Sequence, residues 1–134
     1  MKRREIAVIV AAIGLMGMAL PAWAAAGGLD GKTFSGQVGP QGKSEGKDDT
    51  FVFQDGAFES TLCTTFGYGK GAYTTAPAGM TLEFTAETAD QKGGTMKWKG
   101  LVKGDIIEGT AVSTENGQTS ESWFRGTLQQ SQNQ

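Results

Sequence analysis

The chain has 134 residues and is slightly acidic, with 12 Lys and Arg against 14 Asp and Glu and a formal net charge of −2 at pH 7. This balance argues against nucleic-acid binding, because phosphates are recognised by a basic face. The sequence contains no histidine, which removes the usual general base and the commonest metal ligand. The serines and acids show no nucleophile and base arrangement, so we expect a protein that is not an enzyme and has no metal or cofactor.

The first 24 residues have the pattern of a bacterial Sec-type signal peptide. Basic residues at positions 2–4 precede an apolar run over 6–20, and residues 22–24 (AWA) form a small-x-small cleavage pattern. Cleavage is expected after Ala24, with Ala26 as the alternative. The apolar run is shorter than the about 20 residues that a transmembrane helix needs. We therefore predict a periplasmic or secreted protein without a membrane span.

The remainder of the chain predicts a single domain. Residues 25–31 are expected to be a flexible lead-in, residues 32–128 the folded β domain, and residues 129–134 a disordered polar tail. About 100 residues are enough for one hydrophobic core. Cys63 is the only cysteine, so the core must hold without an internal disulfide, and we expect a monomer.

The first strands surround a clear turn. Residues 33–38 alternate and predict a strand, whereas residues 39–49 (GPQGKSEGKDD) predict an exposed loop. The Asp48-Asp49 pair in this loop is interpreted as solvated, since a calcium site needs about six oxygens at organised spacing. Residues 50–62 predict a hairpin around Asp55-Gly56. Its inward face is expected to carry Phe51, Phe53, Phe58 and Leu62.

The middle of the domain is less regular. Residues 63–71 predict a turn-rich connection with at most one short helical turn, and residues 72–75 predict a weak strand. Residues 80–87 alternate throughout and predict a strand, after which residues 90–94 turn the chain. The residues expected to point inward from this strand are Met80, Leu82, Phe84 and Ala86.

Residues 94–128 predict three strands in one register. Asn116-Gly117 is a strong two-residue hairpin signal, and it pairs Glu108 with Arg125 and Gly109 with Phe124. The other turn is expected at Gly104-Asp105. The inward face of the three strands is then Met96, Trp98, Val102, Ile107, Ala111, Phe124 and Leu128.

Eight short strands joined by turns predict an all-β, antiparallel up-and-down barrel. A closed barrel is favoured over an open sandwich because closure removes the two unpaired edges. Glycines recur at inward positions 36, 100 and 126, with a weaker copy at 109. Their absent side chains leave room for aromatic residues in a filled core. The alternative is that they open a ligand cavity.

Several segments together resemble a family of short, exported, uncharacterised bacterial proteins. The segments are LDGKTFSGQVGPQGK at 29–43, FVFQDGAFESTLC at 51–63, FGYGKGAY at 66–73 and WFRGTL at 123–128. The architecture is also similar to the lipocalin-like and avidin-like (calycin-type) barrels. That resemblance implies binding of a small molecule inside the barrel.

We expect a non-enzymatic binding module for a small apolar or amphipathic ligand. The predicted site has Phe84, Trp98 and Phe124 as its lining and Cys63 and Tyr73 at its mouth. Cys63 has two interpretations, a small buried hydrophobe or a reactive thiol at the rim.

The alternative is a protein-interaction or inhibitor module. One surface for it is the segment 66–73, which is similar to the loop of periplasmic lysozyme inhibitors but lacks its serine. The other is the outer face around Trp123, with Leu101, Ile106 and Val112, unless that face only packs on the C-terminal tail or on the 39–49 loop. An interior cavity of about 300 Å³ or more would favour the small ligand.

Overall fold

The computed structural model describes residues 28–129 as a closed antiparallel β-barrel of eight strands in sequence order. The predicted signal peptide, residues 25–27 of the lead-in and residues 130–134 of the tail lie outside the described residues. The strands and the single helical turn are β1 Thr33–Pro40, β2 Lys47–Gln54, β3 Ala57–Ser60, α1 Thr61–Thr64, β4 Gly71–Ala78, β5 Thr81–Ala89, β6 Thr95–Lys103, β7 Ile106–Glu115 and β8 Gln118–Leu128. The predicted up-and-down barrel is confirmed.

The barrel has two ends that differ in what covers them. Because neighbouring strands are antiparallel, successive connections alternate between the ends. The lead-in end carries residues 28–32 and the turns at 55–56, 79–80 and 104–105. The helix end carries the loop 41–46, α1 with residues 65–70, and the turns at 90–94 and 116–117.

The predicted register of the last three strands is confirmed pair by pair. Glu108 lies opposite Arg125 and Gly109 opposite Phe124. The two central turn residues of this hairpin, Asn116 and Gly117, have φ of 52° and 78°, as the tight hairpin turn requires. The Asp55-Gly56 hairpin has the same geometry, and its predicted pairing is also confirmed.

The barrel closes where β1 pairs with β8, and two glycines face each other there. Gly36 lies opposite Gly126. A Cβ at Gly36 would lie 1.8 Å from the carbonyl oxygen of Arg125, so only glycine permits this approach of the strands. At Gly100 a Cβ would lie 2.8 Å from the ring of Phe124. The repeated glycines therefore make room for neighbouring backbone and for one core ring.

Aromatic rings fill the middle of the barrel. The ring centroids of Phe58 and Trp98 lie 4.9 Å apart, and those of Phe53 and Phe84 lie 5.2 Å apart. Contacts of this kind each contribute about 0.5–1.5 kcal/mol beyond the burial of the rings. The completely or almost completely buried aromatic residues are Phe34, Phe51, Phe53, Phe58, Tyr73, Phe84, Trp98 and Phe124. The structure favours the filled-core interpretation of the inward glycines.

The predicted 39–49 loop is too long at both ends. Pro40 still belongs to β1, and β2 already begins at Lys47. Asp49, expected to be solvated, is only 5% exposed. Its carboxylate accepts hydrogen bonds from the hydroxyl of Ser60 and, at 2.9 Å, from the backbone N–H of Leu62. The alternation that turns Phe51 inward also turns Asp49 inward, and these donors offset the cost of burying its charge.

Two residues predicted to point inward lie elsewhere. Met80 is 93% exposed, because Gly79 with φ of 67° makes a turn there and β5 begins at Thr81. Leu62 is half-buried in α1. The strand β3 ends at Ser60, whose hydroxyl oxygen accepts from the backbone N–H of Cys63 at 3.2 Å and caps that helical turn.

Residues 28–31 differ from the predicted flexible lead-in, because they close one end of the barrel. Leu29 is 1% exposed and belongs to the core. The hydroxyl of Tyr73 donates to Asp30 at 2.7 Å and accepts from the backbone N–H of Leu29 at 2.8 Å. Asp30 also accepts from the backbone N–H of Gly56. The segment is therefore fixed by a buried side chain and a hydrogen-bond network.

Candidate functional site

The three residues predicted to line a ligand site form part of the solid core. Phe84, Trp98 and Phe124 are all completely or almost completely buried. The ring of Phe124 contacts the other two, with centroid distances of 5.9 Å to Phe84 and 5.3 Å to Trp98. The structure thus brings the three residues together, and their rings occupy the space in which an internal ligand would lie.

Cys63 and Tyr73, predicted at one mouth, lie toward opposite ends of the barrel. Cys63 is buried at the helix end, with its sulfur 3.8 Å from the sulfur of Met96. Burial raises the pKa of the Cys63 thiol above its usual value, which lowers its thiolate fraction and its reactivity. Tyr73 is buried at the lead-in end, where burial and its hydrogen bond to Asp30 raise its pKa.

On the Trp123 face, the loop 41–46 covers Trp123 itself, whereas Leu101 and Ile106 stay exposed. The indole N–H of Trp123 donates to the backbone carbonyl of Lys43 at 2.7 Å, and its ring lies against Gly39 and Gly46. The guanidinium of Arg125 lies 4.5 Å from the ring centroid, within cation–π distance. The loop 41–46 therefore packs on Trp123, which agrees with the packing interpretation for this residue but not for Leu101 and Ile106.

Beside Trp123 an open groove runs over the outside of β5 to β8. We call it the outer groove; its volume is about 550 Å³. Leu101 and Trp123 supply its apolar walls, and the backbone of two paired glycines forms part of its floor. Its complete lining is Glu83, Lys99, Gly100, Leu101, Glu108, Gly109, Thr110, Trp123, Phe124 and Arg125.

Segment 66–73 presents one exposed aromatic side chain on a fixed backbone. Phe66 is 66% exposed, and it is the most exposed aromatic residue among residues 28–129. Its backbone N–H donates to the carbonyl of Cys63 at 2.9 Å. The next residue, Gly67, has φ of 99°, a left-handed conformation that favours glycine. Gly69 then donates to the carbonyl of Ala89 at 3.1 Å, which ties the segment to β5.

Tyr68 anchors the same segment to the tip of the β7–β8 hairpin. Its side chain is buried, and its hydroxyl donates to a carboxylate oxygen of Glu115 at 2.8 Å. Burial, together with the hydrogen bond to Glu115, raises the pKa of Tyr68 to about 12. The hydroxyl of Tyr68 therefore keeps its proton throughout the neutral range and can donate it to Glu115 there.

Phe66 borders a cleft of about 620 Å³ at the helix end of the barrel, which we call the end cleft. The backbone N–H groups of Lys92 and Gly94 donate to Asp90 at 2.9 and 2.7 Å and fix the turn that forms one wall. A Cβ at Gly94 would lie within 3.0 Å of carboxylate oxygens of both Asp90 and Glu115. The lining is Phe66, Gly67, Asp90, Gln91, Lys92, Gly94, Glu115 and Asn116.

The end cleft was not predicted, although the sequence contained one signal for it. In an up-and-down barrel, the connections after β3, β5 and β7 must lie at the same end. Counting strands would have placed segment 66–73 beside the turns 90–94 and 116–117. Which side chains of these connections meet depends on loop conformations that no alternation of residues encodes.

Comparison of the chain with known protein families, curated proteins and solved structures finds no match. The structure therefore defines this protein by its architecture alone, as a small closed antiparallel barrel with a filled core. The resemblance to lipocalin-like proteins stays a prediction. Within residues 28–129, no helix is long and apolar enough to cross a membrane, and no three potential metal-ligating side chains cluster.

Proposed function

We propose that this protein is an exported, non-enzymatic binding module that holds its partner at the end cleft. The observation that carries the proposal is the contrast between a barrel packed with aromatic rings and one phenylalanine, Phe66, left exposed on a fixed loop. Full burial of a phenylalanine side chain contributes about 1.5–3 kcal/mol. A partner that covers Phe66 gains a large part of this energy without having to order the loop.

The geometry supports this surface better than it supports an internal ligand. An internal ligand would have to displace Phe84, Trp98 or Phe124 from a densely packed core, and such cores yield little space without strain. The proposal therefore favours a site on the surface of the barrel over an internal ligand site, and it favours segment 66–73 over the Trp123 face.

The outer groove is the candidate site for a small amphipathic ligand. Its volume of about 550 Å³ lies within the range of ligand pockets, roughly 300–1,000 Å³. Leu101 is 38% exposed there, and charged side chains of both signs border the groove. These features favour a ligand with an apolar body and polar ends as the second candidate function.

Chemical-shift mapping tests the proposal before the partner is identified. Isotope-labelled protein is titrated with fractionated cell-envelope extract, and backbone amide shifts are followed. We expect the largest changes at Phe66, Gly67 and Lys92. Changes confined to the amides of Phe84 and Trp98 would favour an internal ligand instead, and changes confined to Leu101 would favour the outer groove.

A pair of variants separates binding from nonspecific apolar contact. Phe66→Ala removes the proposed anchor at the helix end. Met80→Ala removes a side chain that is even more exposed, at the opposite end of the barrel. Loss of the shift changes in the first variant and their retention in the second supports the proposal; equal behaviour of the two contradicts it.

A further inference from the structure

We infer that the partner held at the end cleft is an uncharged oligosaccharide. This inference deepens the proposed function and depends on it. It follows from three features of the cleft: an exposed aromatic ring on a fixed backbone, side chains that both donate and accept hydrogen bonds, and a second hollow that continues the binding surface.

The platform is the ring of Phe66. A pyranose ring has one face made of C–H groups, which packs on an aromatic face, while its hydroxyls point outward around the rim. Phe66 offers such a face with 66% of its surface exposed. The N–H groups of Phe66 and Gly67 donate to the carbonyls of Cys63 and Thr64 at 2.9 and 3.1 Å. The backbone that carries the ring is therefore fixed before a ligand arrives, which lowers the entropic cost of binding.

The other side chains that line the end cleft match the hydrogen-bonding groups of a sugar. Gln91 and Asn116 border the cleft, and each carries an amide that both donates and accepts. One oxygen of Asp90 already accepts from the backbone of Lys92 and Gly94, and one oxygen of Glu115 accepts from Tyr68. Each carboxylate has a second oxygen that can accept from a sugar hydroxyl. Each hydroxyl of a sugar is likewise donor and acceptor, so it can pair with either kind of group. An apolar ligand would take these groups out of water without offering them hydrogen-bond partners.

A second hollow of about 400 Å³ lies on the hairpin tip and shares Glu115 and Asn116 with the end cleft. The other residues that line it are Ser113, Gln118, Thr119 and Ser120. Hydroxyl and amide groups thus continue the surface for more than one ring of a saccharide chain. Apart from Glu115 this hollow carries no charge. In the end cleft, Lys92 offsets one of the two carboxylates. This balance favours a neutral chain over a basic peptide.

Titrations with defined probes test the inference. The probes are four neutral tetrasaccharides, namely cellotetraose, chitotetraose, maltotetraose and mannotetraose, and a tetrapeptide of alternating Lys and Arg. Binding to the isotope-labelled full chain is measured by calorimetry and by backbone amide shifts. We expect at least one tetrasaccharide to bind and to shift the amides of Phe66, Gln91 and Ser120.

Variants of the platform provide the decisive comparison. Phe66→Trp keeps an aromatic face and should bind within about threefold of wild type, whereas Phe66→Ala should weaken binding by about tenfold or more. Met80→Ala at the opposite end should bind like wild type. Equal affinities of the Trp and Ala variants would overturn the inference.

Failure of the inference and failure of the proposed function give different results. If no tetrasaccharide shifts these amides, or if only the basic peptide does, the saccharide inference is overturned. The proposed function still stands in that case, provided that envelope extract shifts the amide of Phe66. If the extract shifts amides only elsewhere on the barrel, the proposed function itself is overturned.

Discussion

Replacing Gly36 by alanine should destabilise the barrel, although the same substitution in an unobstructed strand is stabilising. In an unobstructed strand, alanine is more stable than glycine by about 0.5–1 kcal/mol, because glycine loses more backbone freedom on folding. At Gly36 the added Cβ would lie 1.8 Å from the carbonyl oxygen of Arg125 and 2.5 Å from the Cα of Gly126. Both are backbone atoms of β8, so no side-chain rotation can relieve the contact.

The magnitude follows from how far the strands must separate. Cβ atoms essentially never approach other heavy atoms within 3.0 Å, so β1 and β8 must move apart by about 1 Å. Overpacking of this kind costs about 1–3 kcal/mol, and each ladder hydrogen bond lost costs about 1 kcal/mol more. We expect Gly36→Ala to be destabilised by about 2–4 kcal/mol, out of a total of about 5–15 kcal/mol for a typical domain.

Urea unfolding followed by tryptophan fluorescence measures this change, since Trp98 is buried in the core. The matched control is Gly69→Ala, where an added Cβ meets nothing within 4 Å; its stability should stay within about 1 kcal/mol of wild type. A midpoint for Gly36→Ala equal to or above that of the control, with an unchanged slope, would refute the account of barrel closure.

Three further predictions concern single side chains. Asp49→Ala should lower the free energy of unfolding by about 2–4 kcal/mol in urea, because it leaves buried donors without their acceptor. The control is Asp48→Ala at the exposed neighbouring position, which should change this free energy by less than about 0.5 kcal/mol. Tyr73→Phe removes the hydroxyl that joins Asp30 to the backbone of Leu29 and should lower the free energy of unfolding by about 1–2 kcal/mol. A variant as stable as wild type would show that this network contributes nothing. Phe66→Ala should leave the thermal midpoint almost unchanged while Phe84→Ala costs about 3–5 kcal/mol, and a large loss for the first would make Phe66 a structural residue.

Sequence periodicity predicted the sheet well because the relevant signals are local. A two-residue turn such as Asn116-Gly117 fixes which residues pair, and alternation then decides which of them face inward. The same rule places Phe84 and Trp98 in the core. The prediction went wrong at two residues near strand ends. Met80 continues the alternation of β5 and was expected to point inward, but it lies in a turn and is exposed. Asp49 was expected to be solvated, but the alternation of β2 turns its carboxylate inward.

The candidate site was much less predictable than the sheet. Phe66 is separated in sequence from Asp90 and Glu115, and only the alternation of connections around the closed barrel brings the three to one cleft. The burial of Leu29, which closes the lead-in end of the barrel, also depends on contacts with residues distant in sequence, chiefly Tyr73. A glycine-rich lead-in gives no local indication that one leucine within it will be buried.

The pairing of the first strand with the last determines how the domain can be mounted. Residues 28 and 129 both lie at the lead-in end, because Phe34 lies opposite Leu128. The end cleft is at the far end. A linker, surface anchor or fluorescent fusion joined directly at residue 28 or residue 129 would thus point the cleft away from its support, leaving Phe66 open to large, immobile targets as readily as to free molecules.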